Sequence, residues 1–134
     1  MTQNLKLKNI ENNAQSNFKD SGKLVNVIGA ALLEKKGENI ILLDVTRLTT
    51  LTDYFIVCHG NSETQIKALS GNVSDKTVEK LGERVWRKEG LDAKRWIVMD
   101  YVNVVVHIFN KETREHYGLE RMWNDAEVSK ISDN

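Results

Sequence analysis

The side chains able to do chemistry fall at two places in the chain. Cys58-His59-Gly60-Asn61-Ser62 closes an apolar run and leads into Glu63-Thr64-Gln65, so a strand passes through a glycine turn into the start of a helix. Backbone amides and the helix dipole at such a junction can hold an anion, phosphate being the obvious ligand. The same residues spell a capping box, Ser62 at the cap and Gln65 three positions on, and a helix begins this way whether or not it binds anything. A nucleotidyl-transfer enzyme would also need two carboxylates one residue apart on a neighbouring strand to hold its divalent ions. Asp75 instead stands alone in a predicted helix, and no Asp-x-Asp or Asp-x-Glu falls on a predicted strand. The Gly60-Ser62 turn therefore leaves a nucleotide-binding or nucleotidyltransferase-like enzyme as the alternative reading, with transfer chemistry disfavoured.

A metal or proton-transfer site could be assembled from Asp53, His59, Asp100 and His107 if carboxylate and imidazole met on adjacent strands. No His-x-x-His or Glu-x-x-His spacing supports it, and an isolated strand histidine more often bonds a neighbour than a metal. Cys58 is the chain's single cysteine, which excludes an internal disulfide and fits a reducing compartment. Its apolar neighbours Phe55, Ile56 and Val57 should raise the thiol pKa, which makes it core and not a nucleophile.

One stretch positions these groups above all others. Arg95 to Phe109 is dense in β-branched and aromatic residues, has no Gly or Pro, and reads as two strands joined at Val102-Asn103. With a two-residue loop, Tyr101 pairs with Val104, Met99 with Val106 and Ile97 with Ile108. Those six residues form one wholly apolar or aromatic face, while Trp96, Val98, Asp100, Val105, His107 and Phe109 form a mixed one. Large rings combined with a carboxylate and an imidazole have the make-up of a contact surface, where rings supply area and polar groups fix orientation. The other solution is a helix over this face as well, with Asp100 and His107 satisfying each other inside.

Around this pair, Leu24, Val27, Ile28, Ala31 and Leu32 recur at helical spacing after Ser21, with Gly37 as the stop. Two strands follow over 39–45 and 53–59. The helix opened by Ser62 carries Ile66, Leu69, Val73, Val78 and Leu81. A last helix from Asn110 or Lys111 presents Tyr117, Leu119, Met122 and Trp123. Its Arg114, His116, Tyr117 and Arg121 could rim a binding surface, whereas Met122 and Trp123 read as buried stripe. The order α-β-β-α-β-β-α implies an α/β (α+β) domain, a single mixed sheet with flanking helices. That domain occupies 21–126. Residues 1–20 read as a disordered N-terminal tail, and 127–134 as a polar C-terminal tail.

Hydrophobic residues make up 40% and charged residues 28% of the 134, the composition of one ordinary globular domain. Basic and acidic residues number 19 each, and this balance argues against broad nucleic-acid binding through phosphates. No apolar run reaches the length of a membrane span, and Met1–Asp20 lacks the hydrophobic segment of a secretory signal, so a cytoplasmic protein is expected.

Several separated motifs now carry a resemblance. Thr52-Asp-Tyr-Phe-Ile-Val-Cys-His-Gly-Asn-Ser-Glu-Thr-Gln65, Glu89-Gly90, Trp96-Ile-Val-Met-Asp-Tyr101, Val104-Val-Val-His-Ile-Phe109, Arg114, Tyr117, Leu119-Glu120 and Trp123-Asn-Asp-Ala126 resemble, in this order, the ribosomal silencing factor family, also called Iojap-like. The resemblance implies a nucleotidyltransferase-like fold without catalytic carboxylates, no cofactor and no reaction. It implies binding to the large ribosomal subunit through its protein number fourteen, at the face that receives the small subunit. Subunit joining would be blocked sterically and translation lowered under nutrient limitation or in stationary phase. Carried over by position, the contact surface centres on Trp96, Asp100, Val105 and His107, with Tyr101 and Arg114 beside them. A homodimer through the aromatic face is compatible with this, and no metal, membrane or sequence-specific nucleic acid is implied. Members usually have Gly-Asp where this chain has Val102-Asn103, so here a β-branched residue must avoid or bear a positive φ.

Overall fold

The computed structural model describes residues 21–133, so the tail expected over 1–20 lies outside the described residues. Helix α1 spans Ser21–Glu34, β1 Glu38–Asp44, β2 Tyr54–Gly60, α2 Glu63–Leu81 and β3 Arg87–Glu89. Then come β4 over Trp96–Asp100, β5 over Val104–Asn110, α3 over Lys111–Tyr117, α4 over Leu119–Met122 and β6 over Glu127–Lys130. The sheet runs β3-β4-β5-β2-β1-β6, with β2 and β5 parallel and the remaining neighbours antiparallel. It is the single mixed sheet with flanking helices that the order of elements implied.

Three features depart from that order. The last helix is two, because Gly118 takes φ 59° and caps α3 before α4 begins. The three residues of β3 are too few to show a period. Residues 127–130, expected to belong to a polar tail, are exposed throughout, yet they pair with β1 from Asp44↔Glu127 to Ile41↔Lys130. Backbone bonds make that strand, and a hydrophobicity pattern cannot announce it.

Helices α1 and α2 cover one face of the sheet. Leu24, Ile28 and Leu32 from α1 and Ile66, Leu69 and Val73 from α2 pack on Ile56, Cys58, Met99, Val106 and Ile108. The β4–β5 register is the expected one, Ile97↔Ile108 and Met99↔Val106, and it turns the six apolar or aromatic residues inward, all fully buried. Tyr101 among them sets its hydroxyl 2.9 Å from the Thr77 Oγ1, and burial holds the phenol pKa above its usual value. Thr77 takes the inward position that the helical pattern gave to Val78, which is exposed. Helix α1 ends at Glu34, before the Gly37 expected as its stop: Lys36 takes the left-handed φ of 62°, and Gly37 N–H closes the end by donating to Leu32 O at 2.9 Å.

The β4–β5 connection bears the strain that its composition threatened. Val102 has φ 75°, and Asn103 N–H donates to Tyr101 O at 2.9 Å, closing a three-residue turn. Asp100 Oδ1 accepts from Val102 N–H at 2.7 Å, and Asn103 O accepts from the amides of Asp53 and Tyr54 at 3.0 and 3.2 Å. A β-branched residue held at such a φ costs about 1–3 kcal/mol, more than the ~0.5–1 kcal/mol of extra chain entropy that glycine brings. Val102→Gly is therefore expected to raise the unfolding free energy by about 1 kcal/mol, read from the urea midpoint. A lowered midpoint would show that the valine is not strained.

Candidate functional site

The second sheet face is built from aligned rows. Phe55↔Val105, Val57↔His107 and His59↔Phe109 sit side by side on β2 and β5, and Trp96, Val98 and Asp100 on β4 face Phe109, His107 and Val105 in turn. One end of this face is roofed. Leu119 and Ala126 close over Ile41, Leu43, Val57 and Phe109 in a second, smaller core.

Arg114 fastens that roof. Its side chain is buried, with Nε and Nη2 at 3.0 and 2.9 Å from Glu120 Oε2, and Nη1 at 2.9 Å from His59 Nδ1 and 3.4 Å from Glu38 O. A guanidinium only donates, so His59 Nδ1 must accept and its proton lies on Nε2, 3.6 Å from Glu38 Oε1. Burial, and secondarily the Arg114 charge, hold the His59 pKa below its usual value. The expectation that Arg114 flanks the contact surface is thus corrected: it is an internal clamp. Tyr101 is likewise inside, on the opposite face.

The middle of the face is an aromatic cluster around a buried imidazole. Trp96 Nε1–H donates to His107 Nδ1 at 3.0 Å, and the indole stacks on Phe109 at 4.9 Å between centroids and meets Tyr117 at 4.6 Å. Phe55 packs edge-on to His107 and to Trp123, each at 5.2 Å. Because indole nitrogen can only donate, His107 is the neutral tautomer protonated at Nε2. That Nε2 is buried and has no hydrogen-bond partner among the described residues. Burial pushes the His107 pKa down to about 4. The internal Asp100–His107 pair considered from the sequence does not form; Asp100 caps the Val102 turn instead.

Beyond the cluster the face is open. Phe55, Trp86, Asp100, Val105 and Trp123 line a largely apolar cleft of 560 Å³, with Leu51 and Val102 on its rim. Leu51 is 84% exposed and Trp86 61%. Met122, expected in a buried stripe, is 71% exposed, because α4 ends before its apolar side can turn inward. The spacing of residues around Trp86 gave no sign of its place here; only β3, which follows it directly, brings Trp86 to the sheet edge beside Asp100.

The other candidates resolve differently. Ser62 Oγ accepts from Gln65 N–H at 3.0 Å and Gln65 Oε1 from Asn61 N–H at 2.7 Å, so both side chains of the capping box are engaged. A shallow crevice of 360 Å³ with Lys94, Arg95 and Lys111 on its walls lies where β2 and β5 end. Cys58 is fully buried and its thiol is pushed up to about 12 by burial, which removes it as a nucleophile. Asp53 accepts from Ser21 Oγ at 2.8 Å, away from His107. Asp125-Ala126-Glu127 does lead into a strand, with Asp44 opposite Glu127, but among the described residues no three His, Cys, Asp or Glu side chains are grouped to hold a metal. No described helix is long and apolar enough to cross a membrane.

Fold and site together define a mixed α/β domain that presents a half-roofed sheet face. The family model for "Ribosomal silencing factor during starvation" matches residues 18–134. The chain is 37% identical over 108 residues to the ribosomal silencing factor RsfS of Bacillus subtilis, covering 81% of this chain and 91% of that one. To the RsfS of Halalkalibacterium halodurans it is 38% identical over 96 residues, covering 72% and 81%. A crystal structure of a Chromobacterium violaceum protein superposes with TM-score 0.73 at 32% identity, covering 82% of this chain and 91% of that one. The chain belongs to the ribosomal silencing factor family.

The buried imidazole gives this fold an acid sensitivity of definite sign. His107 titrates near 6.5 when unfolded and at about 4 when folded, so its neutral form is favoured by folding. Stability is full above pH 6.5 and falls as pH drops toward 4, by about 3 kcal/mol in the limit and about 1.5 kcal/mol between pH 6.5 and 5. Urea titrations at pH 7, 6 and 5 should show this slope, and His107→Gln, which keeps an acceptor for the indole, should make it shallower, leaving the smaller part that the buried His59 adds. An equal slope in both proteins would remove His107 as its source.

Proposed function

We propose that this protein represses translation by docking the open part of its second sheet face on the large ribosomal subunit, through that subunit's protein number fourteen. Bound at the face that receives the small subunit, it blocks joining by occupying space, under nutrient limitation or in stationary phase. It acts in the cytoplasm, without a cofactor and without a reaction.

The observation that carries this reading is the apolar cleft left beside the aromatic cluster. A folded domain gains by covering rings, and exposed Trp86 and Leu51 beside half-buried Phe55 and Trp123, grouped around one carboxylate, have the anatomy of a partner site. Within it Val105 and Asp100 are offered directly. Trp96 does not line the cleft: it lies farther along the same face, held by His107, Phe109 and Tyr117, so its ring is set in advance for a partner that extends past the cleft.

Purified large subunits should carry the protein down in co-sedimentation, and small subunits added afterwards should fail to join. Trp86→Ala is expected to cost about 2 kcal/mol of that binding, roughly thirtyfold in affinity, with little change in stability because the indole is mostly exposed. Undiminished binding would remove the cleft from the interface. The nucleotide-binding alternative at the Gly60-Ser62 turn is tested by melting the protein with millimolar nucleotide and magnesium: a site there would raise Tm, and no rise is expected.

A further inference from the structure

Asp100 is out of keeping with the cleft it lines. Its half-buried carboxylate sits among Phe55, Trp86, Val105 and Trp123, and among the described residues only Oδ1 is engaged, by Val102 N–H at 2.7 Å. Arg87 stands directly across from it in the β3–β4 register but is turned elsewhere. Its Nη1 lies 3.4 Å from Glu89 Oε2, and its guanidinium carbon sits 4.5 Å above the Trp86 ring. Among the described residues no basic nitrogen comes within ion-pair distance of Asp100. A second polar group points the same way: Thr52 lines the cleft and is 7% exposed, and its Oγ1 is buried with no partner among the described residues. The remaining Asp100 oxygen is open to solvent beside aromatic walls, ready to accept from an arriving donor, and a charged contact made there is stronger than one on the open surface.

We infer that the cleft receives a basic side chain of the docking partner, its hydrocarbon stem lying along the rings and its charged head on Asp100. This rests on the reading of the face as a docking surface and adds what that surface selects. The rings favour a cation over their faces, and a guanidinium, planar and rich in donors, suits stacking beside a carboxylate better than an ammonium does. With 560 Å³ the cleft exceeds one side chain, so residues flanking the basic one enter with it.

The probe is n-butylguanidinium, followed by amide and indole NMR shifts of the full chain, with 1-pentanol as the neutral control. Saturable shifts at Thr52, Trp86, Val102 and Val105 are expected in the millimolar range, weaker by at least about fivefold with the alcohol and by about tenfold in Asp100→Asn. Asparagine keeps an Oδ1 acceptor for Val102, so this variant should retain the wild-type melting temperature. Equal response to the alcohol, or an unaffected Asp100→Asn, would overturn the cation site. In co-sedimentation Asp100→Asn should bind large subunits about tenfold more weakly, with a shallower dependence on salt. If Trp86→Ala abolishes subunit binding while Asp100→Asn leaves it unchanged, the basic anchor is wrong and the docking face stands; if neither variant matters, the docking face itself falls.

Discussion

Seven residues of α3 and four of α4 are all the helix available to cover the second sheet face, and the rest of the molecule is arranged around that shortage. The first face has α1 and the nineteen-residue α2 above it and is sealed. On the second, Gly118 cuts the last helix where a continuous one would have run on across β5 and β4. What the short pieces reach becomes core: Phe109, Val57 and Leu43 are fully buried. What they do not reach stays open, and its apolar area, worth roughly 25 cal/mol per Å² when removed from water, contributes nothing to folding. Arg114 makes so small a roof durable, because one guanidinium ties α3 to α4, β2 and the start of β1.

Between roof and opening lies the aromatic cluster, and it shows how one hydrogen bond decides a local arrangement. His107 faces Val98 across the β4–β5 pair, so Trp96 and Asp100 are both its diagonal neighbours. The indole reaches the imidazole and Asp100 turns to the backbone of its own turn. That division leaves a neutral ring inside and a negative charge outside. A buried ion pair at the same place would have tied up the carboxylate and loosened the hold on Trp96.

Much of this was legible in the residues, and the limits are physical. Strict alternation over 96–109 gave the register and both faces, because a slip of one residue would have exposed six apolar side chains. The capping box at Ser62 was readable because its bonds are local. Tyr101 and Arg114 were carried over from the family likeness as surface residues, yet their side chains point inward, a matter of tertiary packing that position in a motif does not record. Trp86 and Leu51 were passed over for the opposite reason: they lie in irregular segments without periodicity, and only the folded sheet brings them together. Met122 misled because its helix is one turn long, too short for a stripe to have a meaning.

The two borders of the sheet bear on how such a molecule survives at high concentration. β3 has three residues and β6 four, and between them they show solvent Arg87, Glu89, Glu127 and Lys130. Short, charged margins are poor templates for strand addition by another copy. A chain that leaves rings uncovered on one face therefore avoids the parallel hazard of open backbone, and crowding would not by strand addition turn it into fibrils.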